Sequence, residues 1–209
     1  MIENPTRASY DIIATDYAEY LANELDDRPV DRAMLAAFAE IAGAGGRVAD
    51  VGCGPGRVTT LLHDLGLDAY GMDLSPGMLA VARKTYPHLL FEEGTMSALD
   101  VVDGELAGIV AWYSIIHIAP DQRPAVFAEL HRALAPGAPL LLAFQVGDEA
   151  LRVSEALGHE VALDFQRLRP ERIADELTAA GFAMYATLVR ERIGNDKVQQ
   201  AVVLARRGV

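Results

Sequence analysis

The sequence predicts an α/β protein organised around a mostly parallel sheet. From Arg47 onward, short apolar runs alternate with helical apolar stripes, which is the texture of repeated β-α-β units. A glycine-rich turn, Asp50-Val-Gly52-Cys-Gly54-Pro-Gly56, joins the first of those runs to a helical stripe. An acid, Asp73, closes the second run about 20 residues further on, the separation at which a carboxylate stands at the tip of the neighbouring strand.

Each element has its own signal. Tyr10, Ile13, Tyr17, Tyr20 and Leu21 recur at helical spacing, with Asp11, Asp16 and Glu19 on other faces, and make an amphipathic first helix. Met34, Leu35, Phe38, Ile41 and Ala42 form the stripe of a second helix, which stops in the glycines after residue 42. The first strand spans 48–51, and the helix after the glycine turn carries Val58, Leu61, Leu62 and Leu65. The second strand spans 69–72; Ser75 then caps and Pro76 opens a helix bearing Met78, Leu79 and Val81. Further strands are expected at 89–92, 109–113 and 140–144, with a helix through Val126, Phe127, Leu130 and Leu134 before the last. The beat then lapses over 147–168, where Val161, Leu163 and Phe165 alternate like one short strand. A helix over 170–180 follows, and strands over 183–189 and 201–204 flank the turn cluster Gly194-Asn195-Asp196 as an antiparallel pair. The whole of 1–209 reads as one domain, with 1–45 as N-terminal helices and 46–209 as the α/β core.

Composition narrows the partners. With 18 Lys and Arg against 30 Asp and Glu, the net charge of −12 disfavours a face that neutralises nucleic-acid phosphates, so no nucleic-acid partner is expected. One cysteine, Cys53, leaves no disulfide framework and no multi-cysteine metal site, and no metal ligand set is assigned. Residues 1–7 hold an acid and a proline where a signal peptide needs a basic start and an apolar run, and no apolar stretch approaches a membrane span. A cytoplasmic protein without a membrane partner, monomeric or homodimeric, is the expectation. The acidic runs 24–27 and 100–105 read as solvated loops without calcium-loop spacing.

The glycine turn and Asp73 together describe a site for an adenosine-containing ligand. Glycines let backbone approach the ligand and aim helix N-terminal N–H groups at it, while a carboxylate at the next strand tip accepts from two ribose hydroxyls. A nicotinamide dinucleotide calls for a third glycine at the sixth position of G-x-G-x-x-G, and Arg57 stands there.

Instead Asp50, Gly52, Gly54 and Gly56 reproduce an acid, any residue, then G-x-G-x-G. This resembles the first motif of the class I S-adenosylmethionine-dependent methyltransferases, in the small-molecule type known from bacteria. The resemblance runs over roughly 10–204 and implies a Rossmann-like, seven-stranded, mostly parallel sheet with an antiparallel C-terminal strand and an N-terminal helical lid. It implies S-adenosylmethionine as cofactor and a small-molecule acceptor, methylated on oxygen or nitrogen. By carry-over, the methionine end lies over the glycine turn, Asp73 holds the ribose, and Leu74 and Met78 pack on the adenine. Thr95 and Met96 fall where the family usually carries an acid at the adenine edge, so that contact passes to them or to backbone. Ala111 and Trp112 stand at a strand tip beside the methionine part, and Tyr10 and Tyr17 match tyrosines of a lid. His117 is the first candidate for a catalytic base, His159 the second, and Tyr113 an orienting group for the acceptor.

Blander readings stand beside these. Tyr10 and Tyr17 also suit plain packing of an apolar stripe. Trp112 and Tyr113 also suit a sheet edge, and His117 between Ile116 and Ile118 also suits a satisfied structural imidazole. An imidazole near its ordinary pKa would serve an acceptor that must lose a proton, whereas positioning alone suffices for one already nucleophilic. A nicotinamide-dependent oxidoreductase and a non-catalytic S-adenosylmethionine-binding protein are the alternatives.

Overall fold

The computed structural model describes residues 5–208. Two helices, α1 (Pro5–Tyr20) and α2 (Pro29–Ala42), lead into β1 (Arg47–Val51), α3 (Arg57–Asp64), β2 (Asp68–Asp73), α4 (Pro76–Thr85), β3 (Leu90–Glu93) and β4 (Gly108–Trp112). A single 3-10 turn, Ile115–His117, precedes α5 (Arg123–Ala133) and β5 (Pro139–Gln145). The chain then forms β6 (Ala150–Ala156), β7 (His159–Gln166), α6 (Pro170–Ala179), β8 (Phe182–Arg190) and β9 (Gln200–Arg207).

Seven strands make one sheet in the order β3-β2-β1-β4-β5-β9-β8. The pairs β1–β2, β1–β4, β2–β3 and β4–β5 are parallel, and β9 lies antiparallel between β5 and β8. The mostly parallel sheet with an antiparallel last strand is as expected. The chain moves outward from β1 to β3 on one side and from β4 to β5 on the other, so the order reverses between β1 and β4. Ligands bind outside the carboxyl ends of strands at such a reversal. Val51 and Trp112 are the last residues of the strands that border it, and Asp73 ends β2, the next strand beyond β1.

Strand residues alternate between two cores, because successive side chains point to opposite faces. Ala49, Ile109, Leu140 and Val203 pack with Phe127 and Leu130 of α5 and Ile173 and Leu177 of α6. Val48, Val110, Leu141 and Val202 pack with Leu35 and Phe38 of α2 and Val58 and Leu62 of α3. Each fully buried Leu, Ile or Phe stabilises the fold by roughly 1.5–3 kcal/mol relative to exposure. Ser75 caps α4 by accepting from the Met78 N–H at 3.1 Å, with Pro76 in the first turn, as its sequence predicts.

Two expectations need correction. The region over 147–168 holds two strands rather than one: β6 and β7 form a separate two-stranded antiparallel hairpin. Leu157 (φ 53°) and Gly158 (φ 81°) turn it, both in the left-handed region that a primed two-residue turn requires. Glu24 is not solvated. It pairs with Arg57 at 2.6 Å and Arg28 at 3.6 Å, its side chain only 18% exposed. Among the described residues no helix is long and apolar enough to cross a membrane.

Candidate functional site

Outside the carboxyl ends of β1, β2, β3 and β4 lies a cavity of about 660 Å³. Its floor is the glycine turn. Gly52 (φ +76°), Gly54 (φ +54°) and Gly56 (φ +87°) all adopt left-handed backbone, yet their reasons for lacking a Cβ differ. At Gly52 a Cβ would overlap the side chain of Ser114, whose hydroxyl donates to the Val51 carbonyl at 2.6 Å. At Gly56 it would overlap the Phe91 ring. At Gly54 it would meet nothing within 4 Å, and Gly54 lines the cavity. The outer two glycines therefore serve packing, and the middle one leaves room above the floor.

Asp73 ends β2 at the cavity wall. Its Oδ2 accepts from the Gly54 N–H at 2.7 Å and its Oδ1 from the Ser75 N–H at 2.8 Å. Burial pushes its pKa up, against the pull of those N–H groups. The carboxylate is thus fixed in orientation, and each oxygen keeps a further lone pair.

Asp50 and Trp112 also line the cavity, and each carries a buried polar atom without a partner. Thr59 donates to Asp50 Oδ2 at 2.7 Å, leaving Oδ1 unpaired in a residue 1% exposed. Desolvation pushes the Asp50 pKa up to about 7. Trp112, 5% exposed, has its indole N–H unpartnered. Arg57 Nε in the same lining is also buried without a partner, and such groups are costly alone unless a ligand supplies their complements.

The opposite wall is aromatic. Tyr10 and Tyr17 of α1 line the cavity edge to face, with ring centroids 5.6 Å apart. Tyr10 Oη lies 2.7 Å from His117 Nε2, and His117 Nδ1 lies 3.1 Å from the Asp164 carbonyl of β7. Desolvation lowers the His117 pKa to about 4, which corrects the expectation of an imidazole near its ordinary value. Tyr113, just past β4, adopts φ 55°, a strained backbone for a residue with a Cβ, and it too faces the cavity.

Most residues singled out from the sequence converge here. Tyr10, Tyr17, Asp50, Gly52, Gly54, Asp73, Leu74, Met78, Thr95, Met96, Trp112, Tyr113 and His117 all line this one space. Three do not. Gly56 packs beneath it, Ala111 is buried in the sheet, and His159 pairs with Asp16 of α1 at 2.7 Å, outside the cavity lining. The sequence reading missed Arg57 as a wall residue, Asp121 and Gln122 on the rim, and Ser114 beneath Gly52. Arg57 directly follows the glycine turn, so its position was a signal.

Polar contacts hold α1 against the rest of the fold. Asp11 Oδ1 accepts from the Ser75 hydroxyl at 2.6 Å and from the Gly77 N–H at 2.8 Å, tying α1 to the start of α4. The Ala162 N–H donates to Ser9 Oγ at 2.8 Å, tying α1 to β7. Ile13, Ala14, Met78 and Leu163 fill the space between these three elements.

Comparison with known proteins agrees with this geometry. The family described as a methyltransferase domain matches residues 48–137, the span from β1 to the turn before β5. Trans-aconitate 2-methyltransferase of Methylobacterium nodulans is 35% identical over 149 residues, covering 70% of this chain and 55% of that protein. These matches place a methyltransferase domain over residues 48–137. The chain spans about half the length of the curated relatives it matches. Among solved structures, an S-adenosylmethionine-dependent methyltransferase of Methanosarcina mazei superposes with TM-score 0.74 at 17% identity, covering 83% of this chain and 97% of that one. The [4+2]-cyclase SpnF superposes with TM-score 0.71 at 18% identity, covering 98% of this chain and 96% of that one. Those two likenesses are of fold. Because a cyclase shares the fold with a methyltransferase, the chemistry has to be argued from the site.

Proposed function

We propose that this chain is an S-adenosylmethionine-dependent methyltransferase acting on oxygen or nitrogen of a small-molecule acceptor. The observation that carries the reading is the pairing, in one cavity, of a fixed Asp73 carboxylate with the dry, unpaired Asp50 Oδ1 and Trp112 indole N–H. The free lone pairs of Asp73 suit the vicinal hydroxyls of a ribose. Asp50 Oδ1 suits an α-ammonium, whose charge would hold the carboxylate ionised, and the indole N–H suits an acceptor atom nearby. Leu74 and Met78 offer an apolar wall for adenine, with Thr95 and Met96 at its edge. The bare Cα of Gly54 gives room above the floor.

Bound S-adenosylmethionine would supply an electrophilic methyl on a sulfonium. The chain's own work is then to hold, to exclude water and to move a proton. Tyr10 and Tyr17 close the cavity and keep it dry, and Trp112, Tyr113 and His117 border the space left for an acceptor. Holding the acceptor atom about 3–3.5 Å from the methyl carbon supplies much of the rate.

The chain acts as one domain in this reading, with 1–45 as N-terminal helices and lid and 46–209 as α/β core; residues 1–4 and 209 lie outside the described part. The acidic charge supports the absence of nucleic-acid partners, and a cytoplasmic location and a monomeric or homodimeric state complete the reading. The test is transfer of tritium from methyl-labelled S-adenosylmethionine into a deproteinised bacterial small-molecule extract. Labelled product with stoichiometric S-adenosylhomocysteine supports the reading. Tight cofactor binding without transfer into any fraction favours a non-catalytic binding protein, and binding of NADH in its place favours an oxidoreductase.

A further inference from the structure

We propose that Tyr10, rather than His117, meets the acceptor, and that His117 is the group that takes Tyr10's proton. The inference rests on the methyl-transfer reading above and assigns the acceptor class: one that arrives carrying an O–H or N–H proton.

The hydrogen-bond directions leave little freedom. The Asp164 carbonyl can only accept, so the His117 Nδ1 at 3.1 Å must carry a hydrogen and donate it. In the neutral imidazole the other nitrogen is then a bare acceptor, and the Tyr10 hydroxyl at 2.7 Å donates to it. Both imidazole nitrogens are thereby engaged, and His117 has no lone pair to offer an acceptor. Tyr10 differs. Its proton is committed to His117, its oxygen keeps lone pairs, and the residue lines the cavity.

Three elements must meet to build this pair: Tyr10 comes from α1, His117 from the turn after β4, and Asp164 from β7. The Phe165 ring, 4.9 Å from the imidazole between centroids, and the Tyr17 ring against Tyr10 fix both planes. The other titratable and charged groups that act on the pair are Tyr17 on α1, Asp73 at the end of β2 and the Asp164 carboxylate on β7. The pair exists only with the lid seated, so water is excluded before a base is available.

Tyr10 Oη takes the acceptor's proton and passes its own to His117 Nε2 while the acceptor oxygen or nitrogen bonds the methyl carbon. The carbon–sulfur bond of the sulfonium donor breaks with its electron pair left on sulfur. One positive charge is present throughout, first on sulfur and then on the imidazolium, whose Nδ1–H stays donated to Asp164. The departure of charge from sulfur is what makes a weakly basic, buried imidazole able to accept.

The test is nitrogen-15 NMR of histidine-labelled protein, free and with S-adenosylmethionine, for the native chain and Tyr10→Phe. The result expected is a neutral His117 at pH 7 with hydrogen on Nδ1. The Tyr10→Phe exchange should move the Nε2 resonance toward that of an unbonded lone pair and raise the His117 pKa, because a donor to the neutral form is lost. Hydrogen on Nε2, a cationic ring at pH 7, or indifference to Tyr10→Phe overturns the proposal, whether or not methyl transfer is found. In the tritium assay with the same extract, Tyr10→Phe should lower transfer at least 10-fold while S-adenosylmethionine affinity stays within about 3-fold. Undiminished transfer, or transfer and affinity falling together, also overturns it. An inactive native chain counts against the methyl-transfer reading, and the NMR result then decides the pair alone.

Discussion

Thr59 donates to one oxygen of Asp50 at 2.7 Å and leaves the other, equally buried, with no partner. The Asp50 pKa of about 7 follows from that imbalance, since desolvation outweighs a single hydroxyl donor. Binding of a ligand ammonium at the bare oxygen should ionise the group. Calorimetric titration of S-adenosylmethionine at pH 6–7, in buffers of different ionisation enthalpy, should therefore register net proton release. Asp50→Asn should abolish that release; a buffer-independent heat in the native protein would remove Asp50 from the ligand.

Two neighbouring glycines should fail differently. Gly52→Ala drives a Cβ into Ser114 and should cost stability by overpacking, about 1–3 kcal/mol beyond left-handed backbone strain of about 1–2 kcal/mol. Gly54→Ala meets no atom and should lose only the strain, while weakening S-adenosylmethionine more than Gly52→Ala does per unit of lost stability. Urea melts alongside calorimetry separate the outcomes, and identical profiles would contradict the division between packing and cradle.

His117 should make stability pH-dependent. Its folded pKa of about 4 lies below an unfolded value near 6.5, so the folded state binds fewer protons between those limits. Its stabilising contribution is complete above about pH 6.5 and disappears as the pH falls through 4, up to about 3 kcal/mol. Asp50 works oppositely, its folded pKa being raised, so its contribution is complete below about pH 4 and fades as the pH rises to 7. Comparing native protein with His117→Gln isolates the first slope: the difference in unfolding free energy should shrink on acidification from pH 6.5 to 4. A constant difference would mean the imidazole is not buried neutral.

A buried ionic chain braces the floor from below. Arg190 donates to Asp31 at 2.8 and 3.0 Å and to Asp196 at 2.6 Å, Arg28 also binds Asp196, and Glu24 connects Arg28 to Arg57 in the cavity wall. Arg190→Met leaves the buried Asp31 with only Arg28 at 3.9 Å and should cost up to about 3–5 kcal/mol, most of it recovered when Asp31→Leu is added. Denaturant unfolding of the single and double variants checks this, and an equally unstable double variant would show that packing rather than stranded charge was lost.

How far the sequence revealed this protein depended on how much apolar pattern each piece carried. The parallel strands β1, β4 and β5 are buried on both faces, so their runs were legible, and Ser75-Pro76 marked α4 by its cap chemistry. Strand β6 was not legible, because Leu151, Arg152 and Glu155 face solvent and no period-two apolar signal results. Its turn begins at Leu157, a residue type that gives no warning of left-handed backbone. The glycine turn and Asp73 were found from spacing alone. Contacts between distant segments, such as Glu24 with Arg57 or Tyr10 with His117, have no local signature, because the fold and not the chain neighbourhood brings them together. His159 shows the converse: a chemically apt residue on the right hairpin that faces Asp16 and not the cavity.

Asp73 is the proposed anchor of a nucleoside in this cavity, and isothermal calorimetry of S-adenosylmethionine against native protein and Asp73→Ala is the decisive measurement. One-to-one binding by the native chain is expected, weakened in the variant by about 1.5–3 kcal/mol through loss of charge-assisted hydrogen bonds. No binding to the folded native chain, or equal affinity in both, would contradict it.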